Sequence, residues 1–255
     1  LPREAENLVR LSDGTAIRCK LLIGADGRNS AVRNSVDIPV KTTRYGQKAV
    51  TFAVNHDAPH NNVSTEVHCG GGPFTLVPLP DHNGLPCSSV VWMEDGPIAQ
   101  DLAAMPVAEF EAAATARAAD VLGPLRLVSP RSVWPIISQI AERMNGPRTA
   151  LVAEAAHVVP PIGAQGLNMS LNDLECLLSL AQTIRQDLGS RAMLEQFNQK
   201  RHHDVRLRVA GIDALNRASQ ARSPLLQDLR VAGIKALTQV TPIRRNLMKM
   251  GLGAD

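Results

Sequence analysis

Between Glu154 and Asp173 the chain runs for eighteen residues without a charged side chain, histidine counted as neutral, and that run contains Pro160, Pro161, Gly163 and Gly166. Its length would suit a membrane span, but the prolines, the glycines, Gln165 and Asn168 would leave backbone polar groups unpaired in lipid. One continuous helix is excluded by the same breakers. What remains is strand, turn, helix: the apolar stretch "RTALVAEAA" enters the run as a strand, and Gly163 and Gly166 fall where the chain bends sharply and lets something approach its backbone. A helix then opens near Leu167 to Ser170.

The first turn of such a helix presents unpaired N–H groups and roughly half a positive charge. With no titrating side chain nearby, the seat is built from backbone. That suits a neutral planar ligand that becomes anionic during its cycle, as a reduced flavin does, and a buried structural turn accounts for the same residues equally well. A second segment, "LLIGADGRNSAVRNSV" over residues 21 to 36, narrows the choice. A strand running into Gly24, Ala25, Asp26 and Gly27 puts a carboxylate at a strand's C-terminal end, where α/β sheets bind ligands. Ser30 and Arg33 stand one turn apart if a helix follows Gly27, a spacing that suits a site for hydroxyl and phosphate groups.

The 255 residues exceed the usual single compact domain, so one large or two smaller lobes are expected, and 44% apolar content marks a globular chain. With seven aromatic residues the core is expected to be Leu, Val, Ile and Ala. Cys19, Cys69, Cys87 and Cys176 form no CxxC pair, which argues against a zinc ribbon or disulfide scaffold and for a reducing, cytoplasmic compartment. Nothing at the start resembles a secretory leader. The chain opens at Leu1 in a polar segment, which raises the expectation of a missing upstream part.

Net charge is +3, with 13 Lys and Arg against 6 Asp and Glu from residue 185 onward. A basic helical tail meets anionic surfaces or acidic partners, and its plainest reading is a solvated helix face. Aromatics are too few to stack bases, so nucleic acid is not expected as a partner. In "PLLQDLRVAGIKALTQV", Leu225, Leu226, Leu229 and Leu237 lie near one face, fit to pack on the chain's own body, a membrane surface or a sister subunit. His56, His60 and His68 lie in strand and loop, not on one helix face, so metal binding is not expected. His202 and His203 are expected at the surface, and Met248 and Met250 in a core or interface.

Residues 7 to 25 read as a hairpin running into an apolar strand. From Tyr45 to Met93, four alternating runs suit an antiparallel sheet with one wet face. Residues 107 to 122 read as a helix stopped by Gly123-Pro124, and "RLVSPRSVWPI" as another strand of that lobe. Helical patterns dominate from Met169, broken at Gly189, near Ser223-Pro224 and at Thr241-Pro242.

"GADGRNSAVR" resembles the Asp-Gly motif of FAD-dependent aromatic hydroxylases of the para-hydroxybenzoate hydroxylase-like class, and "EAAHVVPPIGAQGLNMSLNDLE" is similar to that class's second FAD motif, Gly-Asp-Ala-Ala-His. "YGQKAV", "KRHHDVRLRVAGIDALNRAS" and "PIRRNLMKMGLG" resemble the ubiquinone-biosynthesis branch. The likeness covers about Leu8 to Gly253, as a C-terminal portion without the N-terminal GxGxxG segment. It implies an α/β fold: an incomplete FAD/NAD(P)-binding domain at 1–40 and 148–190, interrupted by an antiparallel β substrate lobe at 41–147 and followed by a C-terminal helical region at 191–255.

The same resemblance implies FAD and NAD(P)H as cofactors and an O2-dependent hydroxylation of a hydrophobic aromatic small molecule, a polyprenylated ubiquinone precursor. No catalytic side chain and no metal are implied, since the flavin drives the chemistry. Asp26 and Gly27 would lie beside the cofactor and the nicotinamide's approach, and Glu154 at the ribityl chain. Pro161 and Gly163 would border the isoalloxazine edge, and Gly166, Leu167 and Asn168 would offer backbone to its pyrimidine end. His157 would serve the turn's structure. Peripheral contact with the inner membrane or a biosynthetic complex, and homo-oligomerisation, belong to the same expectation. The chain departs from the pattern in reading Ala153-Glu154 for Gly-Asp and in lacking the GxGxxG turn that seats the pyrophosphate. A non-catalytic paralogue serving as a partner in a biosynthetic complex, or a hydroxylase of a small soluble phenol, are the alternatives.

Overall fold

A computed structural model describes residues 6–220 of the chain. The expected breaks at Ser223-Pro224 and Thr241-Pro242, the Leu225 to Leu237 face, Met248 and Met250 lie outside the described residues. The chain divides into two compact units. One holds the residues up to Thr43 together with Ile137–Asp213; the other holds Arg44–Ile136 and the end of the last described helix.

In the first unit, β1 (Asn7–Arg10) and β2 (Ala16–Cys19) form the expected hairpin, closed by Asp13, whose carboxylate accepts from the Thr15 N–H at 2.8 Å. β3 (Leu22–Gly24) then leads through a Gly-rich turn to the short helix α1 (Ala31–Ser35). β4 (Val40–Asn55) carries the chain out of this unit.

The second unit is built on β4, β5 (Thr65–Cys69), β6 (Gly72–His82) and β7 (Leu85–Asp95), antiparallel in the order β4-β7-β6-β5, followed by α2 (Gly96–Ala104), α3 (Val107–Arg117) and β8 (Arg126–Leu127), which pairs with β4. Helix α3 stops at Arg117, earlier than the Gly123-Pro124 signal, because Ala119 and Asp120 turn left-handed, with φ of 52° and 55°. The expectation of an aliphatic core fails here. Phe52, Phe74, Trp92 and Phe110 gather in one cluster, with ring centroids 4.8 to 6.5 Å apart in edge-on and tilted pairs. Scarce aromatics have been spent where they bury most area. Gln47, within "YGQKAV", donates to the Gly71 carbonyl at 2.8 Å and accepts from Asn216 and Gln220 at 3.1 and 2.7 Å.

β9 (Ser132–Ala141) returns the chain to the first unit. β10 (Asn145–Gly146) and β11 (Thr149–Leu151) follow, then β12 (His157–Val158), which pairs with Ile140 and Gln139 of β9. α4 (Gln165–Thr183) and α5 (Arg191–Gln220) complete it, separated by the expected break at Gly189. The sheet order is β10-β11-β3, with β11 and β3 parallel. Met169, Leu177 and Leu180 of α4 and Met193, Leu194 and Phe197 of α5 join Ala150, Leu151 and Val152 in one core. The opposite face of α4 carries exposed Leu167, Leu171, Leu174 and Leu178. His202 is no free surface group, since a ring nitrogen meets the Ala141 carbonyl at 3.0 Å. Among the described residues no helix is long and apolar enough to cross a membrane, and no group of three His, Cys, Asp or Glu can hold a metal ion.

His56 in the second unit is fully buried, with Nδ1 2.8 Å from the Ala58 carbonyl and Nε2 2.9 Å from Ser88 Oγ. A carbonyl only accepts, so Nδ1 carries a proton toward Ala58, while Nε2 and the Ser88 hydroxyl, which can give or take, share the second bond. Burial holds its pKa below the ordinary value of 6.5, with repulsion from His60 adding to the shift. The unfolded chain therefore takes up a proton that the fold refuses. This contribution to stability is complete above pH 6.5 and is lost as pH falls below it. Urea unfolding is expected to show a lower midpoint at about pH 5 than at pH 7, and His56→Asn to flatten that difference.

Candidate functional site

β3 and β11 run side by side in the register Thr149↔Leu22, Ala150↔Ile23, Leu151↔Gly24. The Val152 N–H continues the ladder onto the Gly24 carbonyl at 3.0 Å. Because the strands are parallel, the loop from Ala25 and the loop from Ala153 leave the same C-terminal edge, where open α/β sheets take their ligands. Gly24 is required for this closeness: a Cβ there would lie 2.9 Å from side-chain atoms of both Leu151 and Val32.

In the first loop, Asp26 Oδ1 accepts the Ser30 hydroxyl at 2.5 Å and Oδ2 accepts the Val32 N–H at 3.0 Å. Partial burial pulls the Asp26 carboxyl up, but these bonds outweigh it and hold the group below its ordinary range. Ser30 caps α1, its Oγ accepting the Arg33 N–H at 2.9 Å. Arg33 is 4% exposed and donates to the carbonyls of Ala155 at 2.9 Å and Arg28 at 3.1 Å. The expectation that Ser30 and Arg33 serve incoming hydroxyl or phosphate groups is thus corrected: both are buried and engaged within the fold. What Arg33 does is bind the first loop to the second.

The second loop begins with a 3-10 turn, Ala153–Ala155, in which Ala153 is left-handed at φ +53°. Glu154 is exposed. After β12 and Pro160-Pro161 comes another 3-10 turn, Ile162–Ala164, with Gly163 at φ +65°, and α4 opens at Gln165, slightly ahead of its expected start. Pro161 and Gly163 are exposed, Gly166 and Asn168 half-buried, and Leu167 is 70% exposed. A Cβ on Gly27 would meet nothing within 4 Å, on Gly163 only Gln165 Nε2 at 4.0 Å, and on Gly166 only Val159 Cγ2 at 3.9 Å. These glycines leave main chain bare on open space, and no acidic residue stands in the first turn of α4 to use up the helix's positive end. Open glycine main chain beside a helix N-terminus with no acidic side chain in its first turn fits the polar edge of a planar cofactor, so these residues suit part of an FAD.

Sequence reasoning missed what holds the loop in shape. Asp173 has no exposed surface, yet its Oδ2 accepts from His157 Nε2 at 2.6 Å and from the Ala153 N–H at 3.1 Å, while Oδ1 accepts from Arg201 Nε at 2.8 Å. Arg201 also donates to the Met169 carbonyl at 3.3 Å and to Asp204 at 2.7 Å, and Asp204 takes Arg208 at 3.0 Å. Burial alone would raise the Asp204 carboxyl; the two arginines outweigh it and hold it below its ordinary range. The signal was present. Asp173 stands four residues from both Met169 and Leu177, and Arg201 four from both Phe197 and Val205, each a charge inside an apolar stripe that only a partner can make tolerable.

Removing the Arg33 bridge frees two carbonyls of charge-assisted partners. Arg33→Ala is expected to cost about 2–4 kcal/mol in urea unfolding, and Arg33→Lys, able to reach one carbonyl, to recover part of that.

With this geometry, comparison with known proteins is specific. Ubiquinone hydroxylase UbiL of Rhodospirillum rubrum is 36% identical over 95% of this chain and 56% of that protein. The mitochondrial ubiquinone biosynthesis monooxygenase COQ6 of Xenopus tropicalis is 31% identical over 94% of this chain and 59% of that protein. The chain thus spans a little over half the length of these relatives. Among solved structures, the Diels-Alderase PyrE3 of pyrroindomycin biosynthesis superposes with a TM-score of 0.77 at 23% identity, covering all of this chain and 54% of that one, which shows a shared fold. Residues 3–210 match the family model described as FAD binding domain, and the chain belongs to that family.

Proposed function

We propose that this chain supplies the flavin-ring side of an FAD-dependent monooxygenase that hydroxylates an aromatic ring of a polyprenylated ubiquinone precursor with NAD(P)H and O2. The observation that carries the reading is the parallel pair β3 and β11, which delivers the Asp26–Gly27 turn and the Glu154–Asn168 loop to one sheet edge with their glycines open. The relatives named as ubiquinone hydroxylase and ubiquinone biosynthesis monooxygenase support the substrate class. The domain parts belong to the same proposal: 1–40 and 148–190 for FAD, 41–147 for the substrate lobe, and 191–255 as the C-terminal region.

When bound, FAD supplies hydride acceptance from the nicotinamide and activation of O2, chemistry that no protein side chain offers. The chain's residues hold and orient. Asp26, kept ionised by Ser30 and the Val32 amide, and Gly27 would border the cofactor and the nicotinamide's approach. Glu154 is placed for ribityl hydroxyls. Pro161 and Gly163 would flank the ring edge, and the amides of Gly166, Leu167 and Asn168 would favour negative charge at its pyrimidine end by roughly 0.3–2 kcal/mol. The substrate is a hydrophobic aromatic small molecule, and peripheral membrane or complex contact and self-association belong to the same proposal.

The full-length gene product is expected to purify yellow with flavin absorption bands and to take up FAD after stripping. A colourless product that takes up none overturns the enzyme reading and favours a non-catalytic partner, a role with which the Ala153-Glu154 departure is in keeping. Leu167→Asp places a negative charge in the exposed first turn of α4. It is expected to make the bound flavin's midpoint potential more negative while changing stability by less than about 0.5 kcal/mol.

A further inference from the structure

The Asp173 carboxylate sits where the Ala153 turn, His157, α4 and α5 meet, and it accepts hydrogen bonds from three of these directions. One of its donors is the N–H of Ala153, a non-glycine residue at φ +53°. For an L-residue that conformation costs about 1–2 kcal/mol, so something must hold it. From outside the turn the Arg33 guanidinium reaches the Ala155 carbonyl at 2.9 Å but leaves the Ala153 N–H to Asp173, and within the turn the Ala156 N–H closes onto the Ala153 carbonyl at 2.9 Å. Glu154 follows immediately, so the left-handed step at Ala153 sets where the exposed carboxylate points. The carboxylate is in turn fixed by Arg201, whose second arm reaches the Met169 carbonyl within α4.

We infer that Asp173 and Arg201 are positioning residues for the cofactor loop: a buried clamp that holds Ala153 left-handed and so pre-sets the direction in which Glu154 leaves the turn. This rests on the FAD reading above. The clamp exerts its effect in the free protein. Without it Ala153 relaxes toward a right-handed backbone, and a ligand that needs the left-handed form must restore it on binding.

The test is a double-mutant cycle on the full-length gene product, with FAD dissociation constants from fluorescence titration and urea midpoints from the stripped protein. Asp173→Ala is expected to weaken FAD binding by about 5- to 30-fold through the unheld residue, with a further loss from general loosening. Ala153→Gly, which makes the left-handed form free of cost, is expected to change affinity by less than about threefold in the wild-type background but to recover about 5- to 30-fold in Asp173→Ala. A merely structural Asp173 would give Ala153→Gly the same factor in both backgrounds. That additive result, or an unchanged dissociation constant in Asp173→Ala, overturns the proposal. If Asp173→Ala does not fold, Asp173→Asn reads the same coupling at smaller amplitude, since its one oxygen cannot serve both the Ala153 and Arg201 sides. Should even the wild type bind no FAD, the flavin reading fails separately; the cycle on urea midpoints then decides the clamp alone, coupling retaining it and additivity sinking it.

Discussion

The close parallel approach of β3 and β11 is the constraint from which the candidate site follows. It depends on Gly24, where any side chain would collide with Leu151 and Val32 at once. Because these strands point the same way, two segments more than a hundred residues apart in sequence leave at one edge, and the Arg33 guanidinium closes the gap between them by taking the Ala155 carbonyl. The buried polar contacts of Ser30, Arg33 and Asp173 hold the two loops in place. What lies open to a ligand is glycine main chain, with the Glu154 carboxylate beside it.

That division of labour explains how much could be read in advance. The breakers at Pro160-Pro161, Gly163 and Gly166 announce strand, turn and helix, because backbone conformation is restricted locally and locally encoded. The hairpin at Asn7–Cys19 and the helix break at Gly189 are legible for the same reason. The network under the loop was not, since pairing Asp173 with His157, Ala153 and Arg201 requires knowing that α5 packs on α4. Only the anomaly shows in one dimension: a charge set among Met169, Leu177 and Leu180. Ser30 and Arg33 mislead in the opposite sense. Their spacing is equally good for a phosphate or for a capped, buried helix start, and burial decided it.

The aromatic residues of the second unit make a related point about composition. Seven aromatics in 255 residues imply an aliphatic core if they are spread evenly. Instead Phe52, Phe74, Trp92 and Phe110 are pooled into one cluster, with Arg131 lying 4.6 Å over the Phe110 ring and donating to the carbonyls of Leu102 and Met105. Averages over a chain conceal such concentration, and alternation of apolar residues along β4, β6 and β7 does not reveal which of them will meet.

A seat made of main chain also changes what mutagenesis can say about it. Scanning by truncation is blind there, because Gly163 and Gly166 have no side chain to remove. Adding a methyl group at Gly27 or Gly163 reports first on a left-handed backbone, with φ of +83° and +65°, and only second on crowding of anything bound. Gly166 lies within α4, and an added methyl group there meets only ordinary van der Waals contact, its nearest neighbour Val159 Cγ2 at 3.9 Å. It is the one position along the loop where steric interference would speak for the guest alone.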